Sequence, residues 1–450
     1  MGLTPRLLEH APRLKALGAK GTVRPLGGVL PAVTCTAQAT ALTGLPPAGH
    51  GIVGNGWFHR ETGEVRFWLQ ANALVGGETL YAKGRRLAGE RGATFTCAKM
   101  FWWFNQGAPV EWSVTPKPWY GADGSKAFGI HGDPPDLAAS LERKLGAFPF
   151  FSFWGPKAGL PATDWIAAAS AEVIRTKRPT MTLVYLPHLD YDLQRFGPEH
   201  PDTPARVGEA DHAAGVVLDA AHEIGAEVVA FSEYGIDPVH RAALPNRALR
   251  EAGLLAVRDG PFGEALDTFR SRAFAVCDHQ IAHVYVADPA DRGRVADLLG
   301  ALPGVGEVLA GEARRRAGLD HVRSGDLVLL ADRDAWFAYP YWLDERRAPD
   351  FARTVDIHRK PGYDPLELFT DPRIAFPRLR VARRLLGRAL GMRYLMDVVP
   401  LDPALVKGSH GLAPPDPAAG PVLLSGRPVG AAVRGLADLA TDALALMGLA

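Results

Sequence analysis

Thr34 is the residue of this sequence whose position most clearly suggests chemistry. The segment Pro31-Ala-Val-Thr34 reads as a turn, and a short helix is predicted from Thr36 to Thr43. The amino end of a helix attracts a phosphate, and a hydroxyl held there by a metal ion becomes a nucleophile. Two alternatives stay open. Thr34 only caps the helix, or Thr36 carries the role in a shifted register.

Polar side chains also follow two predicted strands. Residues 180–187 have the pattern of a buried strand and lead into the polar loop 188–192. After a helix predicted over 203–224, residues 227–231 form a second strand that leads into 232–235. Open α/β sheets place their sites just beyond the carboxyl ends of strands. The two loops together therefore indicate a functional site.

Composition excludes several classes of protein. The net charge of +1 gives no indication of a nucleic-acid binder. The three cysteines are widely spaced, which argues against a zinc ribbon or a disulfide framework and favours a cytoplasmic setting. The amino terminus lacks an apolar signal region, and no apolar run reaches about 18 residues, so we expect no membrane span.

The order of predicted elements indicates the architecture. With 450 residues, the chain is long enough for one large domain with insertions or for two domains. Helical and strand-like periodicities alternate, which is typical of an α/β fold with a largely parallel sheet. The pattern changes over 245–365, which we interpret as an inserted cap subdomain. Residues 1–244 and 366–450 then form the core.

The segment from Leu30 to Gly56 resembles the nucleophile segment of nucleotide pyrophosphatases and phosphonoacetate hydrolases, within the alkaline phosphatase superfamily. These relatives carry a Thr nine residues before a Thr-Gly pair, followed by Pro-x-x-His-Gly-Ile. Here Thr34 stands nine residues before Thr43-Gly44, and Pro47-Ala-Gly-His-Gly-Ile52 follows. The resemblance implies a three-layer α/β/α sandwich with a mostly parallel central sheet, and Thr34 as the catalytic nucleophile.

Three further segments resemble the metal-binding elements of these relatives, with substitutions. Asp190 matches an Asp that binds zinc together with a His four residues later, but that later position holds Gln194. Relatives read Ser-Asp-His-Gly-Met where this chain has Ser232-Glu-Tyr-Gly-Ile236. Lys407-Gly-Ser-His-Gly411 resembles the late element that supplies the last zinc histidine. The resemblance implies that the metal ligands are Asp190, Glu233 and His410. It also implies that Gln38 and Lys407 bind the substrate.

Both departures replace a histidine, and neither an amide nor a protonated phenol is a good zinc ligand. If 273–286 is a hairpin, His279 and His283 share one face, and Asp356 and His358 would do so in an extended stretch. We therefore hypothesise that His279 and His358 complete the metal site. The alternative is that they are hydrogen-bonded loop histidines.

The resemblance also implies a first strand that ends in a metal-binding Asp. The opening Met1-Gly-Leu-Thr4 leaves no room for that strand before the helix predicted over 4–18. Either the start of the chain has been placed too late or the first strand is absent, and we favour the first interpretation.

The combined expectation is a metal-dependent hydrolase of a phosphodiester or pyrophosphate bond that works through a phosphothreonine. The resemblance implies two divalent ions, zinc first. Gln194 and Glu233 shift the donors towards oxygen, so manganese or iron are alternatives. The expected partner is a small phosphorylated substrate, with neither a nucleic-acid polymer nor a membrane, and the oligomeric state is not predicted. The alternatives are a non-catalytic relative that binds a phosphorylated ligand or partner, and a phosphomonoesterase or phosphonatase.

Overall fold

The structure of the chain is a computed structural model, which describes residues 1–122, 125–430 and 434–449. The α-helices of these ranges are α1 Pro12–Ala19, α2 Thr34–Thr43, α3 Pro47–His50, α4 Leu80–Glu90, α5 Pro135–Leu145, α6 Leu160–Lys177, α7 His188–Phe196, α8 Thr203–Glu223, α9 Pro245–Glu251, α10 Arg292–Gly300, α11 Gly311–Arg316, α12 Pro377–Ala389 and α13 Leu439–Leu446.

The strands are short, and most of them lie between helices. They are β1 Thr22–Pro25, β2 Gly56–His59, β3 Glu64–Phe67, β4 Cys97–Met100, β5 Trp112–Pro116, β6 Trp119–Tyr120, β7 Lys126–Ala127, β8 Ile130–Asp133, β9 Met181–Val184, β10 Val229–Phe231, β11 Asp237–Pro238, β12 Arg241–Ala243, β13 Val257–Gly260, β14 Gly263–Leu266, β15 Ala273–Asp278, β16 Ile281–Val286, β17 Val305–Leu309, β18 Leu327–Ala331, β19 Ala335–Phe337, β20 Gly408–Ser409 and β21 Val422–Ser425.

Two sheets carry the strands that lead to the candidate site. In one sheet, β4 pairs in parallel with both β5 and β9, and β8 runs antiparallel to β5. In the other, β21 lies between β1 and β10 and is antiparallel to both. The expected mixed α/β fold with parallel strands is confirmed. The pairing around β21 adds an antiparallel part that periodicity did not indicate.

A third sheet lies within the region that we interpreted as an insertion. Its order is β15-β16-β18-β17, with antiparallel pairing throughout. The hairpin predicted over 273–286 is β15–β16, and both strands are fully buried. Outside this sheet, β12, which ends just before the proposed insertion, pairs in parallel with β19, which lies within it. The boundaries 245–365 stay a prediction.

Local elements differ from the predicted ones at three places. The helix expected over 4–18 is a 3-10 turn, Leu7–His10, followed by α1, because Pro12 starts a new helix at its first position. The expected polar loop 188–192 is the first half of α7, where Leu189 and Leu193 are buried four residues apart on one face. Helix α2 begins at Thr34, two residues earlier than expected.

No helix in the described ranges is both long and apolar enough to cross a membrane.

His283 connects the buried hairpin to the segment that follows α2. Its Nε2 donates to the carbonyl of Val53 at 2.9 Å, and its Nδ1 accepts from the Gly325 N–H at 3.1 Å. One nitrogen must carry the proton and the other must not, so both bonds require the neutral ring. Burial lowers the pKa of His283 to about 4, although the bond to Val53 opposes the shift.

Acidification is therefore expected to destabilise the protein through His283. In the unfolded chain its pKa returns to about 6.5, so the unfolded state binds the proton first. The contribution of the neutral His283 ring to the free energy of unfolding is complete above pH 6.5. It is lost as the pH falls towards 4, and the loss is at most roughly 3 kcal/mol. Melting temperatures between pH 4 and 7 should fall less steeply for His283→Gln than for the wild type. The surface control His240→Gln should keep the wild-type slope, and an unchanged slope in His283→Gln would contradict this role of His283.

Candidate active site

Thr34 is the first residue of α2 and is only 4% exposed. The residue before it, Val33, is extended, and no side-chain capping bond is formed at this helix start. The Thr34 Oγ1 instead lies 2.9 Å from the Tyr234 hydroxyl and 3.3 Å from the Met1 Sδ. Thr36 turns away and donates to the Ile52 carbonyl at 3.0 Å. The hydroxyl that faces the other candidate residues is therefore that of Thr34.

Asp190 lies at the centre of a hydrogen-bonded chain of substituted residues. Its Oδ2 accepts from Gln194 Nε2 at 2.6 Å, and its Oδ1 lies 3.2 Å from the Tyr234 hydroxyl. The Gln194 Oε1 in turn accepts from the Tyr363 hydroxyl at 2.8 Å. Helix α7 places residues 190 and 194 on one face, because they are four positions apart. Tyr234 thus links Thr34 to Asp190.

Glu233, beside Tyr234, makes a separate contact with α2. Its Oε1 accepts from Gln38 Nε2 at 2.7 Å, and the Gln38 Oε1 accepts from the Trp103 N–H at 2.8 Å. The other carboxyl oxygen of Glu233 is buried without a hydrogen-bond partner among the described residues. Gln38 therefore lies at the site with both ends of its amide bonded to the protein, and its predicted role in binding substrate stays a prediction.

Four aromatic rings stack beside this chain. Tyr234 stacks on His410 at 3.7 Å between ring centroids, His410 lies 3.6 Å from His279, and His279 stacks on Tyr363 at 3.8 Å. His410 Nδ1 donates to the Ala32 carbonyl at 2.7 Å, which leaves its Nε2 3.6 Å from Asp190 Oδ1. His279 and His410 thus both reach the site, although their rings face each other.

The turn of the β15–β16 hairpin delivers His279. Its φ is +60°, an uncommon left-handed conformation for a residue other than glycine. The Phe337 N–H donates to its carbonyl at 2.7 Å, and the next residue, Gln280, donates to the His410 carbonyl at 2.9 Å. Gly411 has φ +132°, and a Cβ there would lie 3.0 Å from the Gln280 nitrogen. The hairpin turn therefore packs directly on the Gly408–Gly411 segment.

Burial dominates the electrostatics of the site. It raises the pKa of Asp190 to about 6 and those of Glu233 and Asp278 to about 7. It lowers the pKa of His410 to about 3, so this ring is neutral at pH 7. Among the described residues, no Lys or Arg side chain forms an ion pair with any of these three carboxyl groups. The positive charge of the amino terminus acts on Asp190 and Glu233, where it lowers both pKa values against the effect of burial. The site is therefore rich in buried acids, and the amino terminus is a cation beside them.

Two predicted site residues lie elsewhere. The Lys407 ammonium is at the surface, where it donates to the Ala404 carbonyl at 2.8 Å. His358 lies in a turn, not an extended stretch, beside the Phe67 backbone and the Asp356 carboxylate. Alternate residues share a face only in a strand, so the prediction that His358 shares a face with Asp356 is wrong. The same prediction for His279 and His283 is also wrong, because His279 belongs to the turn and His283 to β16.

Sequence reasoning missed two groups that support the site. The Asn55 N–H donates to Asp278 Oδ2 at 2.7 Å, and the Asn55 Oδ1 accepts from the Cys35 N–H at 3.0 Å. This pair joins the start of α2 to the last residue of β15. Asn55 lies within the segment Leu30–Gly56, where it could have been found. Tyr363 carried no such signal.

These residues do not fit a pair of metal ions. In the part of the chain that the structure describes, no three His, Cys, Asp or Glu side chains form a group that could hold a metal. Gln194 donates an N–H to Asp190, whereas a metal ligand at this position would direct a lone pair at the ion. The Tyr234 hydroxyl donates to the other oxygen of the same carboxylate. Metal ligation by Asp190 would therefore require these hydrogen bonds to break.

A threonine at a helix start, carboxylates after two strands and a late histidine are the features on which the resemblance to the alkaline phosphatase superfamily rests. Solved structures share the fold. A phosphonoacetate hydrolase from Sinorhizobium meliloti 1021, in complex with phosphonoformate, has a TM-score of 0.60 and 18% identity, covering 99% of this chain and 94% of that one. Murine ectonucleotide pyrophosphatase / phosphodiesterase 5, in an inactive form with AMP, has a TM-score of 0.56 and 15% identity, covering 100% and 93%.

The human ectonucleotide pyrophosphatase / phosphodiesterase 5 gives a similar result, with a TM-score of 0.57 and 13% identity over 100% of this chain and 93% of that one. The family described as Type I phosphodiesterase / nucleotide pyrophosphatase matches the sequence over residues 2–364. The chain belongs to this family, and the resemblance drawn from the motifs is confirmed.

The poor fit to metal ions gives a prediction about zinc. Replacing Gln194→His should create a three-residue ligand set with Asp190 and His410, because three protein ligands are enough for a catalytic type of zinc site. The variant, incubated with zinc and dialysed, should retain about one ion per chain by elemental analysis, and the wild type clearly less. Gln106→His, which adds a histidine elsewhere, is the control. A wild-type chain that retains two ions would contradict our interpretation of the site.

Proposed function

We propose that the chain hydrolyses a phosphodiester or pyrophosphate bond in a small molecule, with Thr34 as the nucleophile and a phosphothreonine as the intermediate. The observation that carries this proposal is the contact of Thr34 Oγ1 with the Tyr234 hydroxyl, which itself lies 3.2 Å from Asp190 Oδ1. Membership of the phosphodiesterase family supports the reaction class.

The proposed first step is attack by Thr34 Oγ1 on phosphorus. The bond from phosphorus to the leaving oxygen breaks, and the leaving group departs as an anion. The hydroxyl proton of Thr34 passes to the Tyr234 oxygen while the Tyr234 proton passes to Asp190 Oδ1. The amino end of α2 favours the anionic group that forms there. In the second step, the oxygen of water bonds to phosphorus and the bond from phosphorus to Thr34 Oγ1 breaks. Asp190 returns its proton through the Tyr234 hydroxyl to Thr34 Oγ1, and the attacking water releases one proton to solvent.

Metal ions are not included in these steps. Members of the family generally depend on divalent metals, and the sequence predicted two, zinc first. When bound, such ions would stabilise the attacking and leaving oxygens. Because the residues do not fit the pair, the proposal rests only on the side chains of this chain.

A non-catalytic role is the second candidate, namely the binding of a phosphorylated ligand. The burial of Thr34 favours it, since the Met1 Sδ contacts the hydroxyls of Thr34, Tyr185 and Tyr234. The hydrogen bonds among the substituted residues also occupy the polar groups that would otherwise bind a metal or a substrate.

Hydrolysis of a monoester or a phosphonate is less well supported. A dianionic group needs more positive charge than a diester, and no Lys or Arg of the described ranges is paired with the site carboxylates. A small phosphorylated substrate is in keeping with the ligands named for the neighbours, phosphonoformate and AMP. The cytoplasmic location is part of the proposal.

Replacing Thr34→Ala should remove hydrolysis of a bis-aryl phosphate, with a fall in kcat of roughly a thousandfold or more. The reason is that Ala has no oxygen to attack phosphorus, whereas Thr34→Ser keeps one and should retain part of the activity. Thr36→Ala is the matched control, because this neighbouring buried hydroxyl only donates to the Ile52 carbonyl. Acid-quenched wild type should carry a phosphoryl group on Thr34 by mass spectrometry.

Two outcomes would count against the proposal. Equal activity of Thr34→Ala and the wild type would exclude Thr34 as the nucleophile. No hydrolysis by the wild type, together with calorimetric binding of AMP, would favour the non-catalytic role.

A further inference from the structure

Helix α12 presents its apolar side chains to solvent. Leu379, Leu386 and Leu390 are between 61% and 68% exposed, and their spacing of seven and four residues places them on one face. Phe376 and Met392, at the two ends of the helix, are similarly exposed, and no residue of α12 is buried. The exposed leucines thus form a continuous stripe, which we call the leucine stripe: Leu379, Leu386 and Leu390.

The polar face of the same helix contacts the segment that directly follows it in the chain. Arg380 and Arg384 both donate to the Asp397 carboxylate, with Arg384 Nε at 2.9 Å. The Arg388 guanidinium lies 5.5 Å from the centre of the Tyr394 ring. A helix on the surface of a globular protein normally has the opposite orientation, with its apolar face inward. The orientation of α12 therefore indicates that another apolar phase covers the leucine stripe.

The positive charge around the leucine stripe indicates what kind of partner surface can cover it. Residues 372–396 contain seven arginines and no Asp or Glu. Arg378 and Arg383 flank the stripe, and neither forms an ion pair within the described ranges. A second copy of the chain would bring these arginines against their own equivalents, which is unfavourable. An anionic surface with an apolar layer beneath it would satisfy both the leucines and the arginines.

We propose that α12 docks the protein on an anionic lipid surface, with the helix lying in the plane of the interface. Leucines of the stripe would enter the boundary between headgroups and acyl chains, while Arg378 and Arg383 contact the lipid phosphates. The helix, about 20 Å long, is too short to span a bilayer but suits this position. The sequence analysis expected no membrane partner because no apolar run is long enough to span a bilayer, a criterion that does not apply to a helix lying in the interface.

The test uses the full chain and sedimentation with vesicles of two compositions. Vesicles of phosphatidylcholine with one quarter phosphatidylglycerol should bind the protein, and vesicles of phosphatidylcholine alone should bind it much less. Binding should weaken as salt rises, because the attraction to anionic lipid is screened. Equal binding to both compositions, or no binding to either, would overturn the proposal.

Matched variants separate the two contributions. Arg378→Gln with Arg383→Gln should weaken binding by about thirtyfold, since each basic residue near the surface contributes about fivefold. Leu379→Ser with Leu386→Ser should abolish binding at any salt concentration. The control, Leu343→Ser with Arg346→Gln, changes an exposed leucine and an exposed arginine outside α12 and should bind like the wild type.

Association of the chain with itself is the main competing explanation. Sedimentation velocity without lipid should show the same mass for the wild type and for the leucine variant. A dimer that Leu379→Ser with Leu386→Ser dissociates would assign the leucine stripe to a second copy and overturn the lipid proposal. Circular dichroism of each variant should show that it is folded, so that a loss of binding is not caused by unfolding.

Discussion

A carboxylate that is removed from water needs hydrogen-bond donors, a proton or a cation, and the arrangement of this site depends on how Asp190 meets that need. Its two oxygens are matched by an amide and a phenol, from Gln194 and Tyr234. The resemblance places histidines at both positions in relatives that bind zinc. The two substitutions therefore supply a hydrogen-bond donor to each oxygen of Asp190, in addition to the charge of the amino terminus that acts on it.

The same two substitutions determine which other elements must come together. Gln194 needs a donor for its carbonyl, and Tyr363 provides it from a loop distant in sequence. The Tyr234 ring needs a stacking partner in place of solvent, and His410 provides it. His279 closes the column between His410 and Tyr363, which accounts for the strained turn of a hairpin that is otherwise regular. The hairpin is thus held to the core by the site itself.

The sequence predicted the parts of the site that depend on local order along the chain. Thr34, Asp190 and Glu233 were found because each follows a turn or a strand end within a recognisable segment, and the structure brings all three together. Lys407 and His358 could not be placed in this way, because the direction of an exposed lysine and the shape of a loop depend on tertiary packing. Tyr363 was missed for a similar reason, since its role depends on contacts with Gln194 and His279 that only the folded chain forms.

The sequence analysis did not predict α12, and the direction of its apolar face is known only from the structure. The free energies involved show why that direction needs an explanation. Exposing a leucine costs about 1.5–3 kcal/mol relative to full burial, whereas a partly exposed ion pair contributes at most about 1 kcal/mol. The two arginine contacts with Asp397 are partly exposed, so they do not offset three exposed leucines. The outward leucine stripe is therefore not explained by contacts within the described part of the chain, and an apolar surface that covers it would supply the missing free energy.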